Sequence, residues 1–263
     1  WSWRRYTNGN FTGIRIMGVF QNNLLAGAAA AASAGGGGFY SHQIAQSARF
    51  DRASQSYLTQ DFGTLTAAKW TVSLWFKRAE LGYDFSTLIG RANGAAQLYF
   101  NSSNALINDS QYTNTVDGLY RDVGGWTHLV YNQKSVNSAA AYVNGVERTV
   151  TVSGSGNFFI PWGDNSTIGQ ISGTGNTRFF DGYMAEIVGV YNQDLDNTNF
   201  GEFKNGVWIP IEPNVTFGSN DYYLKFENAS ALGNDSSGND NDFTVNSMPA
   251  DHQSIDTPTN GIG

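Results

Sequence analysis

Alternation with a period of two residues is the feature that most narrows the fold of this chain. It is clearest in Trp70 to Lys77 (WTVSLWFK), which places Trp70, Val72, Leu74 and Phe76 on one face and Thr71, Ser73, Trp75 and Lys77 on the other. Similar short runs cover Thr87 to Gly90, Gln97 to Asn101, Trp126 to Asn132, Ser166 to Ile171 and Tyr183 to Tyr191. Turn signals separate them about every 8 to 12 residues, the spacing of a β-sandwich. Asn144-Gly145, between AAAYV and VERTVTV, is the strongest of these signals. A type I′ hairpin needs positive φ at both central residues, which Asn-Gly tolerates. Asp196 to Lys204 alone has the pattern of a helical turn, short and capped by Asp196. The sequence therefore predicts an all-β chain.

Composition narrows the organisation and the partners. The chain has 263 residues, 31 of them Gly, enough for one large β domain. Lys plus Arg number 15 against 22 Asp plus Glu, a net charge of −7, and the basic residues are scattered, so a phosphate-neutralising nucleic-acid footprint is not expected. No stretch approaches the roughly 20 apolar residues of a membrane span, so membrane insertion is not expected. With no cysteine, disulfides and thiolate zinc sites are impossible. An Ala/Gly tract at Ala26 to Gly38 reads as a linker, because its side chains are too small to bury the area that ordering requires. Arg4, Arg5 and the small residues near it resemble a secretory leader, but Arg15, Asn22 and Asn23 interrupt the apolar segment. The expected organisation is an N-terminal arm and linker at 1–38, a sandwich at 39–246 and a tail at 247–263.

Several segments together resemble one family, the concanavalin A-like jelly rolls of the laminin G-like kind. They are ARFDRASQSYLTQ, WTVSLWFKR, GGWTHLVYN, AAYVNGVE, STIGQ and RFFDGYMAEIVGVYNQDL, in the family's order from Ala48 to Leu195. The resemblance implies a concanavalin A-like jelly-roll β-sandwich behind an extended N-terminal arm. The glycine-rich lead-in, FGEFKNGVWIP, NDSSGNDNDFT and DTPTN also resemble virion-associated proteins of bacteriophages. That narrower likeness implies a structural protein of the phage particle surface, in a fibre, tail or capsid decoration, without catalytic activity. Its implied partners are other virion proteins and further copies of itself, a trimer being common among fibres. The segment YYLKFEN (Tyr222 to Asn228) reads either as closing strands of the sandwich or as the start of a following repeat, with closure favoured.

The alternative function is adhesion to host surface polysaccharide. It needs exposed aromatic faces beside Asn or Asp, and the candidates are Trp162 with Asp164 next to it, Trp75, Tyr112 and Tyr120, with Trp208 of the same type. Burial of each aromatic is worth about 1.5 to 3 kcal/mol, which competes with exposure at every one of them. A third reading, a polysaccharide depolymerase, needs two carboxylates about 5 to 9.5 Å apart in a cleft. Asp181 and Glu186 are the nearest pair, but they lie five residues apart, on opposite faces of a regular strand unless a bulge at Gly182 realigns them. His42, His128 and His252 have no metal-binding spacing, and no serine-hydrolase elbow or phosphate loop occurs. No cofactor is expected apart from calcium, for which NDSSGNDND offers Asp235, Asp240 and Asp242, with Asp181 as a second position. The competing reading of that segment is an Asx-rich turn whose side chains bond their own backbone.

Overall fold

The computed structural model describes residues 38–66, 69–91, 96–109, 113–135, 138–154, 161–171 and 178–260. The chain divides into two units, Trp1–Phe39 and Tyr40–Gly263, and the second is the body described below. The expected arm lies outside the described residues, as does Tyr112.

The body opens with β1 (Ser47–Phe50), β2 (Tyr57–Gln60), β3 (Trp70–Arg78), β4 (Ser86–Arg91), β5 (Ala96–Phe100) and β6 (Leu106–Asp109). It continues through β7 (Thr113–Val116), β8 (Thr127–Ser135), β9 (Ser138–Val143), β10 (Val146–Arg148), β11 (Val150–Ser153) and β12 (Ser166–Ile168). It ends with β13 (Gly182–Tyr191), β14 (Gly201–Lys204), β15 (Val207–Pro210), β16 (Tyr222–Leu224), β17 (Thr244–Asn246) and β18 (Gln253–Ser254). One sheet runs β10-β9-β8-β3-β13-β1-β18 with β16 also on β13, and the other runs β11-β7-β6-β5-β4-β12-β2-β17. All of the pairings in both are antiparallel. This is the expected all-β sandwich.

Parity on β3 decides the core. Trp70, Val72, Leu74 and Phe76 join Leu129 and Tyr131 of β8 and Met184 and Ile187 of β13 between the sheets. The opposite face of the first sheet is also covered. Trp75, Ala185 and Ile44 pack with Trp126 and Trp208, while Val130, Val188, Val190 and Tyr223 pack with Phe200, Val215 and Phe217. The cover consists of the lead-in before β1, the β14–β15 hairpin and the segment after it.

The Asn144-Gly145 turn has φ of 48° and 76°, and β10 pairs back on β9 as expected. The expected helical turn at 196–204 is shorter: one 3-10 turn, Asn197–Asn199, capped by Asp196, gives way to β14. A second Asn-Gly pair, Asn205-Gly206, turns that strand into β15 with φ of 53° and 81°. Tyr222–Leu224 closes the sandwich against Ile187–Gly189. Residues 247–260, expected as a tail, are stitched to the body: β18 pairs with β1, and the Asp256 carboxylate takes Lys77 Nζ at 2.9 Å and Trp126 Nε1 at 3.0 Å.

Candidate functional site

At one end of the sandwich the loop from β7 to β8 and the Asn144-Gly145 turn wall an open cleft of about 270 Å³. Its lining includes Leu119, Tyr120, Arg121, Asp122 and Arg148, with Phe76 and Val143 below. The loop is held from beneath by Arg78. Even parity from Trp70 turns this last residue of β3 inward, where only 1 % of it is exposed. Its guanidinium lies 4.3 Å from the Phe100 ring centroid and donates to the Tyr120 carbonyl at 2.7 Å and to Asn104 Oδ1 at 3.1 Å. Burial pulls its pKa down to about 10, so it stays charged at neutral pH.

Within the loop, Asp122 Oδ1 accepts from the backbone N–H of Gly124 and of Gly125, and Tyr120 donates its hydroxyl to the Asp117 carbonyl at 2.9 Å. Burial, with the Asp117 charge adding to it and Arg148 opposing, pushes the Tyr120 phenol up to about 12. The phenol is therefore neutral. Leu119 is 54 % exposed. Arg121 and Arg148 are exposed, and among the described residues neither guanidinium has a hydrogen-bond or ion-pair partner. The cleft thus presents two planar donor forks without partners among the described residues, an apolar side chain and carboxylate oxygens.

Of the predicted glycan residues that are described, Tyr120 is the one that lines this cleft. Trp162 is core: it is 1 % exposed, packs against Trp70 and Tyr222, and donates its indole N–H to the Asn220 carbonyl at 2.9 Å. Asp164 beside it is exposed but does not line the cleft. Trp75 is 5 % exposed, stacked on His128 with ring centroids 4.6 Å apart, and so offers no face to a sugar. The sequence reading missed Arg78, Arg121 and Arg148, although the parity of WTVSLWFKR already put Arg78 inside.

The predicted calcium residues do not converge, and among the described residues no group of three or more His, Cys, Asp or Glu is arranged to hold a metal. Asp235 is 7 % exposed, and its carboxylate accepts from the N–H groups of Tyr223, Ser237 and Asn241 and from Ser237 Oγ. Asp242 accepts from Asp235 N at 2.7 Å, and Asp240 is exposed. That is the Asx-turn arrangement. Asp181 is held by Arg49 Nη2 at 2.6 Å.

The acids weighed for hydrolysis are each occupied. The bulge in β13 falls at Glu186, with φ of 48°, and not at Gly182. Glu186 accepts from His42 and Tyr223 beside a cavity of about 40 Å³, the scale of a water and not of a sugar ring. Ser73 and His128 form the other pair with a catalytic look, Oγ to Nε2 at 2.9 Å. Trp208 Nε1 donates to His128 Nδ1 at 2.9 Å, and an indole only donates, so the proton of the neutral ring sits on Nε2, facing Ser73. Full burial pulls His128 down to about 3. A ring that already carries its proton toward the serine cannot take the serine's.

Comparison with known proteins identifies the family of the sandwich. Residues 51–199, more than half of the chain, match the model of the concanavalin A-like lectin/glucanases superfamily in its laminin G form. The chain belongs to that superfamily. A carbohydrate-binding protein from Bacteroides ovatus, so described provisionally, shares the fold with 16 % identity and a TM-score of 0.53, over 78 % of this chain and 59 % of that one. A domain of the extracellular arabinanase AbnA of Geobacillus stearothermophilus, in complex with arabinotriose, has 20 % identity over 56 % of this chain and 70 % of its own, with a TM-score of 0.42. The sialidase-derived CBM40 of Ruminococcus gnavus, bound to α2,3-sialyllactose, has 13 % identity over 60 % of this chain and 96 % of its own, also at 0.42. No curated protein matches the sequence.

Proposed function

We propose that this domain is a lectin-like module that binds carbohydrate without cleaving it, in the cleft lined by Leu119, Tyr120, Arg121 and Arg148. The observation that carries the reading is that two exposed guanidiniums without a partner among the described residues share one open cleft with Tyr120, Leu119 and acidic side chains. Guanidinium forks pair with vicinal or bidentate oxygens, carboxylates accept from hydroxyls, and Leu119 offers an apolar surface to ring C–H groups. The volume of about 270 Å³ is close to the lower bound of about 300 Å³ for small-ligand sites. Non-catalytic binding is supported by the engagement of Asp181, Glu186 and His128 in pairs of their own.

A place on a phage particle surface, with other virion proteins and further copies of the chain as partners, is the wider part of this proposal. Its support is the sequence resemblance of the lead-in and of the DTPTN region. The test of the binding reading is a glycan array probed with the full chain and with an Arg121→Ala/Arg148→Ala variant, each with and without a chelator. Both changes are exposed, so the fold should be unaffected within about 0.5 kcal/mol. Retention of a glycan by the native chain, lost by about tenfold or more in the variant and unchanged by chelation, is expected, since one charged hydrogen bond is worth about 1.5 kcal/mol or more. Equal retention by the two proteins, or release of reducing ends from the bound glycan, would count against it.

A further inference from the structure

The lead-in to β1 carries a side-chain cluster that the cleft does not use. His42 Nε2 lies 2.5 Å from Glu186 Oε1, and His42 Nδ1 lies 2.9 Å from Glu212 Oε2. Glu186 is 6 % exposed, sits at the strained bulge of β13 and also accepts from the Tyr223 hydroxyl. Glu212 comes from the segment after β15 and is largely exposed. An ionised carboxylate only accepts, so an imidazole can satisfy both contacts only by donating from both nitrogens, which requires the imidazolium. We propose that His42 is a proton-controlled latch that fastens the lead-in at 40–46 to the outer face of the first sheet when protonated and frees it when neutral.

The charged neighbours of His42 favour the imidazolium on balance. Burial pulls the His42 pKa down from 6.5, but the hydrogen bond and charge of Glu186 and the charge of Glu212 outweigh it together, Lys225 opposes them, and the net shift is upward. Glu227 lines the same small cavity, and Ser41 beside His42 donates to Glu202 on β14. Tyr223 is pushed upward by burial and by Glu186, so its hydroxyl stays protonated and remains a donor. Because the folded pKa is raised, the latch is fully closed below the ordinary 6.5 and opens as pH rises through the raised value. Two residues on, Ile44 N donates to Thr259 Oγ1 at 3.0 Å and Thr259 Oγ1 donates back to the Ile44 carbonyl at 3.1 Å, and none of these groups titrates, so a pH dependence at this contact comes from its neighbours. The Ile44 amide is therefore a local reporter of release.

The test uses the full chain and two readings. Nitrogen NMR of the histidine rings reports the His42 protons directly. Hydrogen exchange at the Ile44 amide, corrected for its intrinsic pH dependence, reports docking. Protons on both His42 nitrogens at pH 6 are expected, with loss of Ile44 protection tracking the His42 titration, which lies above 6.5. His42→Gln should remove that pH dependence, and Glu212→Gln, at an exposed carboxylate, should move the midpoint down while leaving global unfolding unchanged. A His42 ring with a single proton at pH 6, or an Ile44 profile identical in native and His42→Gln chains, overturns the proposal.

Discussion

Replacement of Trp162 by Ala is expected to destabilise the body by about 3 to 5 kcal/mol, the range for deleting a buried aromatic, and to lower Tm by about 6 to 20 °C for a domain of this size. The indole fills the space between Trp70, Tyr191 and Tyr222, with ring centroids 5.6 to 6.4 Å away. Truncation leaves a cavity there and an unpaired Asn220 carbonyl. Thermal or denaturant unfolding of the variant measures the effect. An exposed sugar platform at this position would behave in the opposite way, with stability changed by less than about 0.5 kcal/mol and binding lost. The same substitution therefore separates core from site.

Asp235→Ala carries the second large effect, about 3 kcal/mol. Four donors converge on this carboxylate, three of them backbone N–H groups. Tyr223 N lies in a buried strand and has no water to turn to when its acceptor is removed, and bonds to charged acceptors are worth about 1.5 to 3 kcal/mol. Asp235→Asn, which keeps one carbonyl oxygen, should lose less. Urea unfolding of the three proteins should rank them native, Asn, Ala. A native chain whose stability rose strongly on adding calcium, with the rise abolished in Asp235→Ala, would restore the ion reading of this loop.

The fold was legible where local pattern and tertiary demand agree. Trp70, Val72, Leu74 and Phe76 alternate because one face of β3 meets the second sheet, and Asn144-Gly145 turns because its two φ values are positive. Asn205-Gly206 carries the same signal, yet the Asp196 cap upstream favours reading the segment as helix; the cap is real but governs one 3-10 turn. Burial of Trp162 was not legible, since Pro161, Gly163 and Asp164 around it read as a surface turn while its partners Trp70 and Tyr222 lie far away in the chain. The bound tail was hidden for a similar reason: Asp256 meets Lys77 and Trp126 only after the sheets assemble.

The cleft was legible through one residue, Tyr120. Arg121 and Arg148 look like ordinary surface charges in the sequence, and what makes them notable is that folding brings the β7–β8 loop beside the Asn144-Gly145 turn without giving either guanidinium an acceptor among the described residues. Arg78 is the part that parity alone could have supplied. A charged residue on the core side of a strand end needs an acceptor, and it finds the Tyr120 carbonyl of the loop that forms the cleft wall.

The most direct measurement is backbone NMR of the full chain titrated with an oligosaccharide that the array retains. Shift changes saturating together at Leu119, Tyr120, Arg121, Asn144 and Arg148, with the sheet interior unmoved, are the predicted result. Changes centred elsewhere on the body, with these five residues still, would contradict the assignment of sugar binding to this cleft.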